Sequence, residues 1–258
     1  MADAHPPTPP LTLQGVLRWI WQNFAFWFGL LLFIPSLLTV MLLSLGRARH
    51  TLGRHMLRGW GQAMLAVLGV RLVVQPELAA ALANRERRIV VFNHTSTVDM
   101  FLFPAIWTPG MTVVAKREMA WIPLVGLGCW LMGFHFVNRK NSRTARASMK
   151  AAAEEVRRAN LSLLMSPEGT RSPTGHLQPF RLGAFYASID ADAPIVAILV
   201  RGLDKLFPRH WAYCRPGTVT LELLTTMPSG AADPSREAVH ARAEHLRALY
   251  QQALNDFD

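Results

Sequence analysis

Residues 88–99, RIVVFNHTSTVD, decide the fold of this chain. The run RIVVF has the Val- and Ile-rich composition of a buried strand, and the serine and threonine residues before Asp99 predict the start of a helix. Similar apolar runs alternate with helical stretches, which predicts an α/β domain with a mixed sheet flanked by helices. The other predicted strands are residues 111–115, 133–137, 161–165, 195–200 and 218–224, and the clearest helices are residues 142–159 and a last one from the Asp233-Pro234 cap signal to about Asp256.

An uncharged stretch from Trp19 to Gly46 precedes that domain. A continuous helix of this length exceeds the hydrocarbon core of a bilayer, which is roughly 30 Å thick. Pro35 interrupts the stretch, so a tilted and kinked span and a re-entrant helical hairpin both fit. We therefore predict a flexible tail at residues 1–15, a membrane-embedded helical segment at residues 16–75 and the α/β domain at residues 76–258.

Positive charge lies mainly after the uncharged stretch, since only Arg18 closely precedes it. By the positive-inside rule, this asymmetry predicts attachment to the inner membrane of the cell with the α/β domain on the cytoplasmic side. Residues 56–72 fit an amphipathic helix in the headgroup layer, and a helix packed into the core fits them equally well. The arginines after the stretch are Arg47, Arg49, Arg54 and Arg58.

The composition narrows the classes of partner and cofactor. With 27 Lys and Arg against 17 Asp and Glu, the net charge of +10 predicts a nucleic acid, an anionic membrane or a phosphorylated substrate as partner. The basic residues between Arg139 and Arg158 are more simply a solvated helix face, so no nucleic-acid partner is predicted. Two cysteines exclude a disulfide scaffold, and no Cys and His cluster has zinc-ligand spacing, so we expect neither a metal nor another cofactor.

His94 and Asp99 form the first candidate site. Five residues apart on one straight helix, the two side chains would point about 140° away from each other. They meet only if His94 lies on the strand-to-helix turn and Asp99 on the first turn of the helix. The carboxylate would then fix the tautomer of the imidazole, whose other nitrogen becomes a general base. The same residues also fit a helix-capping arrangement without chemistry, and both interpretations stay open at this point.

A second candidate site follows the predicted strand at residues 161–165, in the sequence Ser166-Pro167-Glu168-Gly169-Thr170-Arg171-Ser172. Gly169 allows a tight turn, and the N–H groups of Gly169 and Thr170 can point at an anion. Arg171 adds a planar guanidinium group that matches a phosphate. The loop is therefore suited to hold a phosphoryl group, although an ordinary turn with a solvated arginine fits the same residues taken alone.

Five blocks, in order, resemble the glycerolipid acyltransferases, and in particular the 1-acyl-sn-glycerol-3-phosphate (lysophosphatidic acid) acyltransferases. In two places the chain departs from that family's pattern, because Asn138 stands where aspartate is frequent and Met165-Ser166 where an aromatic residue is common. These departures leave the headgroup of the acceptor open. The five blocks are Asn93-His94 with Asp99, Lys116-Arg117-Glu118-Met119 before Pro123 and Gly126, Phe136-Val137-Asn138-Arg139, Pro167 to Ser172, and Pro194-Ile195-Val196.

The resemblance implies roles for individual residues. It makes His94 the catalytic base and Asp99 the residue that orients it. It also implies that Pro194 and its neighbours shape the wall of the acyl site. The substrate-binding residues are Lys116, Arg139 and Arg171 for the acceptor phosphate, and Glu168, Gly169 and Thr170 for the glycerol and phosphate.

The reaction implied by the resemblance moves a fatty acyl group from an acyl thioester to the sn-2 hydroxyl of 1-acyl-sn-glycerol-3-phosphate. The product is phosphatidic acid for phospholipid biosynthesis. The expected partners are this lysophospholipid, an acyl-coenzyme A or acyl-acyl carrier protein donor, membrane lipids and acyl carrier protein. Two alternatives stay open: an O-acyltransferase for another lysolipid, such as lyso-ornithine lipid, and a non-catalytic basic membrane-binding protein that kept the fold.

Overall fold

The computed structural model describes residues 12–84, 86–108, 110–138, 142–171, 176–207, 211–230 and 233–256. The strands are β1 Val70–Val74, β2 Arg88–Phe92, β3 Met111–Lys116, β4 His135–Val137, β5 Ser162–Met165, β6 Ile195–Arg201 and β7 Gly217–Met227. The helices are α1 Leu13–Leu43, α2 Leu52–Leu68, α3 Pro76–Ala83, α4 Asp99–Ala105, α5 Val125–Leu131, α6 Ser142–Ala159, α7 Gly183–Ala191, α8 Leu203–Leu206 and α9 Arg236–Asn255. Two 3₁₀ turns, Arg47–His50 and Arg117–Trp121, join some of them.

A seven-stranded mixed sheet forms the centre of the molecule, in the order β1-β7-β6-β2-β5-β3-β4. Strands β6 and β7 pair antiparallel, and every other pair of neighbours is parallel. The carboxyl ends of β2, β3, β4, β5 and β6 therefore lie at one edge of the sheet, which we call the carboxyl edge. The predicted fold class is confirmed, and in open α/β sheets this edge is where ligands bind.

Helices cover both faces of the sheet, which explains why residues 89–92 of β2 do not alternate between apolar and polar side chains. Val90 and Phe92 belong to a core cluster with α1, α2 and α4. Ile89 and Val91 point to the other face and pack with α6, α7 and α9. Successive side chains of a strand alternate between faces, so a strand buried on both faces is apolar throughout.

The chain between residues 52 and 74 differs from the prediction. Helix α2 ends at Leu68 because Gly69 adopts a left-handed backbone with φ 72°, and its N–H bonds to the carbonyl oxygens of Ala66 and Leu65. The residues that follow, predicted partly as helix, extend as β1 beside β7. The sheet therefore begins before residue 75, where we had placed the boundary between the helical segment and the α/β domain.

Helix α2 packs closely against α4. A Cβ atom at Gly61 would lie 2.6 Å from the Ala105 nitrogen and 2.8 Å from the Phe101 carbonyl oxygen. Met64 and Leu65 of the same helix are buried in the core. One face of α2 is therefore packed into the core, which agrees with the alternative of a core-packed helix for residues 56–72.

Helix α1 is one continuous helix that runs through Pro35, so the re-entrant hairpin is wrong. The chain does not reverse at Pro35, and the Thr39 hydroxyl donates to the Pro35 carbonyl oxygen at 2.9 Å. By length and composition this helix could cross a bilayer. A stripe along its length faces the domain, and the rest of its surface is apolar and exposed. The stripe consists of Gly15, Gln22, Ala25, Leu30, Ile34, Leu37 and Met41.

Helix α1 is fixed to the domain at both ends of this stripe. The Gln22 side chain donates to the Cys214 carbonyl oxygen and accepts from the Cys214 N–H, both at 2.9 Å. Farther along, a Cβ atom at Gly128 of α5 would lie 2.7 Å from Ile34 Cδ1, which shows how closely the two helices approach. After the helix, Arg49 Nε donates to the Leu131 carbonyl oxygen at 2.9 Å.

The other predicted elements are confirmed to within a few residues. Helix α6 has the predicted bounds, and the remaining strands overlap their predicted ranges. Helix α9 begins at Arg236, after the predicted Asp233-Pro234 signal, because the Ser235 hydroxyl caps it by accepting from the Ala238 N–H at 3.2 Å.

Candidate active site

The two residues of the first candidate site meet at the carboxyl edge. His94 lies on the turn after β2, Asp99 is the first residue of α4, and His94 Nδ1 is 2.5 Å from Asp99 Oδ2. A carboxylate acceptor places the proton on Nδ1, which leaves Nε2 as the basic nitrogen. The Asp99 side chain is buried, whereas 25 % of the His94 side chain is exposed to solvent.

The capping alternative is present only in part. The Ser96 N–H reaches Asp99 Oδ2 at 3.4 Å, which is long for a hydrogen bond, and the N-cap position is held by Val98 without a side-chain bond. The contact between Asp99 and His94 is much shorter. The imidazole is therefore the main partner of this carboxylate.

Burial raises the pKa of Asp99 above its usual value. The hydrogen bond and the charge of His94, the Ser96 N–H and the charge of Arg171 all act in the opposite direction, and they favour the carboxylate. A buried carboxylate that touches one imidazole stabilises the imidazolium form of that ring. The pair is thus arranged to accept a proton at Nε2.

Glu168 connects the second motif to the base. Its Oε1 accepts a hydrogen bond from the backbone N–H of His94 at 2.7 Å, and its Oε2 accepts from the N–H of Gln178 at 2.9 Å. Burial raises the pKa of Glu168, and these two backbone N–H groups lower it. Because both oxygens are engaged and the residue is buried, Glu168 braces the backbone at His94. The glycerol-holding role that the resemblance implies for Glu168 stays a prediction.

Replacing Glu168 by glutamine is expected to lower kcat for acyl transfer by about 10- to 100-fold, with little change in KM for the acceptor. The NH₂ group of the glutamine would face the backbone N–H of either His94 or Gln178, and two donors cannot bond to each other. A buried N–H group left without an acceptor costs about 1–3 kcal/mol. The base would then shift, while the phosphate-binding groups keep their places. Steady-state kinetics with varied acceptor measure both constants.

The matched control is Glu154→Gln, on the exposed face of α6, which should leave both constants unchanged. If Glu168→Gln instead raises KM for the acceptor about 10-fold at constant kcat, Glu168 binds substrate rather than the backbone of the base.

Two further polar side chains hold the strand ends under the site. The Asn93 side chain donates to the Val200 carbonyl oxygen at 3.0 Å and accepts from the Val200 N–H at 2.8 Å, so it extends the pairing of β2 with β6. The Tyr250 hydroxyl of α9 contacts the carbonyl oxygens of Ile198 and Val91 at 2.9 and 3.2 Å. Burial raises the pKa of Tyr250 well above its usual value, so this phenol stays a neutral donor.

Arg171 reaches the turn that carries the base. Its Nη1 donates to the Thr97 hydroxyl, on the turn between His94 and Asp99. Gly169 adopts φ 69°, and a Cβ atom there would lie 2.7 Å from Arg181 Cδ, so the Arg181 side chain runs across this glycine. Two arginine side chains therefore flank the turn after β5, and the Thr170 residue between them is exposed.

Lys116 ends β3 at the same edge, with its Nζ 3.6 Å from Glu118 Oε1. Strand β5 separates β3 from β2, so the Lys116 backbone lies about 10 Å from the turn at His94. A long, exposed lysine side chain is consistent with binding part of a substrate that extends from the base. Arg139, the remaining predicted phosphate ligand, lies outside the described residues.

Several contacts of the site were not singled out from the sequence. Thr97 bonds to Arg171, and the Tyr250 hydroxyl bonds to backbone carbonyls; both lie far along the chain from their partners. The backbone N–H of Gln178 bonds to Glu168, ten residues away. Tyr250 had one available signal, since it is a tyrosine on the buried stripe of the last helix. Gln178 had none, because only its backbone N–H takes part.

Together, a buried carboxylate, an imidazole with one open nitrogen and a cationic turn at the carboxyl edge give this α/β enzyme the arrangement expected of a histidine base. A protein-family model described as Acyltransferase matches residues 73–201. The 1-acyl-sn-glycerol-3-phosphate acyltransferase of Salmonella typhimurium is 30% identical over 187 residues, which cover 72% of this chain and 75% of the relative. The chain belongs to the acyltransferase family.

Two other relatives carry similar names. The human 1-acyl-sn-glycerol-3-phosphate acyltransferase beta is 35% identical over 141 residues, covering 55% of this chain and 51% of that protein. The enzyme of that name from Cocos nucifera is 30% identical over 190 residues, covering 74% of this chain and 60% of the relative. The matched parts thus span between half and three-fifths of these two relatives.

A solved structure has the same fold. The crystal structure of the 1-acyl-sn-glycerophosphate acyltransferase from Thermotoga maritima superposes with a TM-score of 0.77 and covers 93% of this chain and 97% of that chain. At 20% sequence identity, this likeness speaks for the fold alone.

Proposed function

We propose that this protein transfers a fatty acyl group from an acyl thioester to the sn-2 hydroxyl of 1-acyl-sn-glycerol-3-phosphate, which yields phosphatidic acid. The observation that carries the proposal is the 2.5 Å contact between His94 and Asp99, with Arg171 bonded to the same turn. The names of the relatives support the choice of acceptor. The acyl donor, bound to coenzyme A or to acyl carrier protein, is a co-substrate, and the reaction needs no further cofactor.

His94 Nε2 removes the proton from the sn-2 hydroxyl as its oxygen attacks the thioester carbonyl carbon. The tetrahedral intermediate collapses, the C–S bond breaks, and the imidazolium returns its proton to the thiolate that leaves. A thiolate is a good leaving group, so a positioned base suffices and no acyl-enzyme intermediate is needed. Asp99 stabilises the imidazolium, and Arg171, Lys116 and Arg139 bind the acceptor phosphate.

The two alternatives differ from this proposal in one feature each. A lyso-ornithine lipid has no phosphate, so it would offer Arg171 a carboxylate in place of the phosphate. In a non-catalytic membrane-binding protein, the buried carboxylate of Asp99 would lower the stability of the fold without contributing to a reaction.

The test of the function is acyl transfer by the purified chain in detergent or in liposomes, with several acceptors side by side. We expect transfer from acyl-coenzyme A or acyl-acyl carrier protein to lysophosphatidic acid, and much slower transfer to lyso-ornithine lipid and lysophosphatidylcholine. Transfer to lyso-ornithine lipid but not to lysophosphatidic acid would overturn the choice of acceptor. Transfer to no lysolipid would favour the non-catalytic alternative.

Replacing Arg171 by alanine is expected to reduce kcat/KM for lysophosphatidic acid by about 10- to 100-fold, mainly through KM. A hydrogen bond to a charged group contributes about 1.5–3 kcal/mol, which corresponds to this range. Lysine at this position should restore only part of the loss, because an ammonium group lacks the two parallel donors of a guanidinium. Initial rates at varied acceptor concentration measure the effect.

Arg157→Ala, on the exposed side of α6, is the matched control for the loss of one positive charge. If both alanine variants reduce kcat/KM equally, Arg171 contributes general surface charge rather than a phosphate site.

For location, we propose that α1 attaches the protein to the inner membrane, with the α/β domain, from β1 on, facing the cytoplasm. The outer face of α1 is mostly apolar, and the exposed Arg47 follows its carboxyl end. Because Gln22 and Ile34 both contact the domain, a perpendicular crossing would draw the domain into the hydrocarbon. We therefore favour α1 lying within one leaflet.

A further inference from the structure

A second exposed apolar surface lies between β3 and β4. Residues 119–134 contain no charged side chain. Trp121 and Trp130 are 78% and 66% exposed, and Ile122 and Leu127 are 41% and 39% exposed. Single exposed apolar residues are ordinary on a protein surface, but such a group with two tryptophans marks a contact site. We name these four residues the α5 surface.

The α5 surface is held in place by the other side of the same helix. Gly128 packs against Ile34 of α1, and Leu131 is buried in the core. A Cβ atom at Gly126 would lie 2.1 Å from the Ala120 carbonyl oxygen, so the 3₁₀ turn that carries Trp121 packs tightly on α5. The inward positions are thus filled, and the tryptophans point outward from a well-packed segment.

The location of the α5 surface relates it to both the active site and α1. The segment leaves the carboxyl end of β3, at the same edge of the sheet as His94. Helix α5 contacts α1, so the two exposed apolar surfaces adjoin each other. Lys116, Arg117 and Glu118, all exposed, stand directly before the segment; Lys116 pairs with Glu118 at 3.6 Å, and Arg117 leaves its start with a net positive charge.

We propose that the α5 surface is a second membrane-contact element, which sits at the headgroup level of the leaflet that holds α1. Three observations select a bilayer with anionic lipids as the occupant. Tryptophan side chains favour the membrane–water interface, the basic residues beside the surface match anionic headgroups, and the surface continues that of α1. The proposal rests on the proposed attachment of α1 to a bilayer.

Contact at this place has a consequence for the lipid substrates. With α1 alone in the leaflet, the domain could rotate about the helix. A second contact beside β3 fixes that rotation and turns the carboxyl edge toward the headgroups, where the phosphate and the sn-2 hydroxyl of a lysophospholipid lie. The acceptor then reaches His94 from the bilayer.

Site-specific labelling tests the contact without using enzyme activity. An environment-sensitive fluorophore is attached to Trp121→Cys or to Trp130→Cys, and the protein is placed in nanodiscs of phosphatidylethanolamine and phosphatidylglycerol. Spin-labelled lipids then quench any fluorophore that touches the bilayer. The natural Cys129 and Cys214 are buried, which raises the pKa of each thiol to about 12, so the unsubstituted chain serves as the blank.

Two reference positions serve as the negative and the positive control for quenching. Ala151→Cys, exposed on α6 across the sheet, should stay unquenched, and Leu31→Cys on the exposed face of α1 should be quenched. We expect positions 121 and 130 to lose half of their emission or more, and to lose more with the spin label near the headgroup than with one near the chain end.

The outcomes separate this inference from the proposed attachment of α1. Quenching at position 31 without quenching at 121 and 130 overturns the second contact and leaves α1 in the membrane. No quenching at any of the three positions overturns both. A shielded but unquenched label at 121 and 130 also overturns it, because contact with a second copy of the chain would explain that result.

A functional comparison adds a second readout. The double variant Trp121→Ala/Trp130→Ala should transfer acyl groups to lysophosphatidic acid in vesicles about 10-fold more slowly, because it loses apolar contact with the interface. Its rate with a short-chain, water-soluble lysophosphatidic acid should equal that of the native chain. Equal loss with both acceptors would show a role in the fold or in catalysis and would contradict the membrane contact.

Discussion

Replacing His94 by alanine is expected to reduce kcat for acyl transfer to lysophosphatidic acid by about 10³- to 10⁴-fold. The hydroxyl of the acceptor is a poor nucleophile until its proton is removed, and the proposed base is His94, which Asp99 and Glu168 hold in place. KM for the acceptor should change little, because alanine leaves Arg171 and Lys116 intact. The measurement is steady-state kinetics on the purified native and variant chains.

His245→Ala, at an exposed position of α9, controls for the loss of an imidazole elsewhere. Both variants should unfold at nearly the native temperature, since the His94 ring is partly exposed. A His94→Ala variant that keeps more than about a tenth of the native kcat would show that another group removes the proton.

Replacing Asp99 by asparagine is expected to lower kcat by about 10³- to 10⁴-fold while the chain stays folded, as found where a carboxylate orients a histidine base. In the native chain His94 donates its Nδ1 proton to Asp99, so Nε2 is unprotonated. An asparagine that turns its amide toward Nδ1 stabilises the other tautomer, whose Nε2 carries the proton and cannot act as a base. The neutral amide also carries no negative charge to stabilise the imidazolium.

The same substitution has an opposite effect on stability. Burial raises the pKa of Asp99, so the folded chain holds this proton more tightly than the unfolded chain does. The stability that depends on Asp99 is therefore greatest below the unfolded pKa of about 4 and is lost as the pH rises through the folded value. Asparagine does not titrate, so the variant should gain stability relative to the native chain as the pH rises above about 4.

Chemical denaturation at several pH values, together with kinetics, checks both parts. Asp190→Asn, on α7, is a matched control that should change neither quantity. If Asp99→Asn is strongly destabilised at neutral pH and active in proportion to its folded fraction, Asp99 caps α4 and does not orient the base.

The strands show how much of the fold can be predicted from the local pattern of apolar residues. Residues 89–92 of β2 are all apolar because helices cover both faces of the sheet, and such runs are visible in a single sequence. Strand β1 was missed since its residues continue the apolar pattern of α2, and only the left-handed conformation of Gly69 separates the two. Helix α1 likewise needed the structure, because packing on the domain decides whether the chain continues through Pro35.

The candidate site was likewise predicted only in part from the sequence. From their spacing, His94 and Asp99 were expected to meet only if His94 lay on the strand-to-helix turn and Asp99 on the first turn of the helix. The structure places them there. Glu168 was recognised as part of the motif, but its acceptance of the N–H groups of His94 and Gln178 depends on two loops meeting in space. The Tyr250 hydroxyl reaches Val91 from the opposite end of the chain.

The sequence by itself therefore determined the α/β class, most of the strands, the apolar N-terminal helix and the motif in which His94 and Asp99 meet. Each of these depends on side chains that are neighbours along the chain or on the periodicity of one element. Only the tertiary structure decided that α1 is unbroken and packed on the domain, that β1 joins the sheet, and that Glu168 braces the base. Those features depend on groups far apart in the sequence, whose contacts are set by the packing of elements against one another.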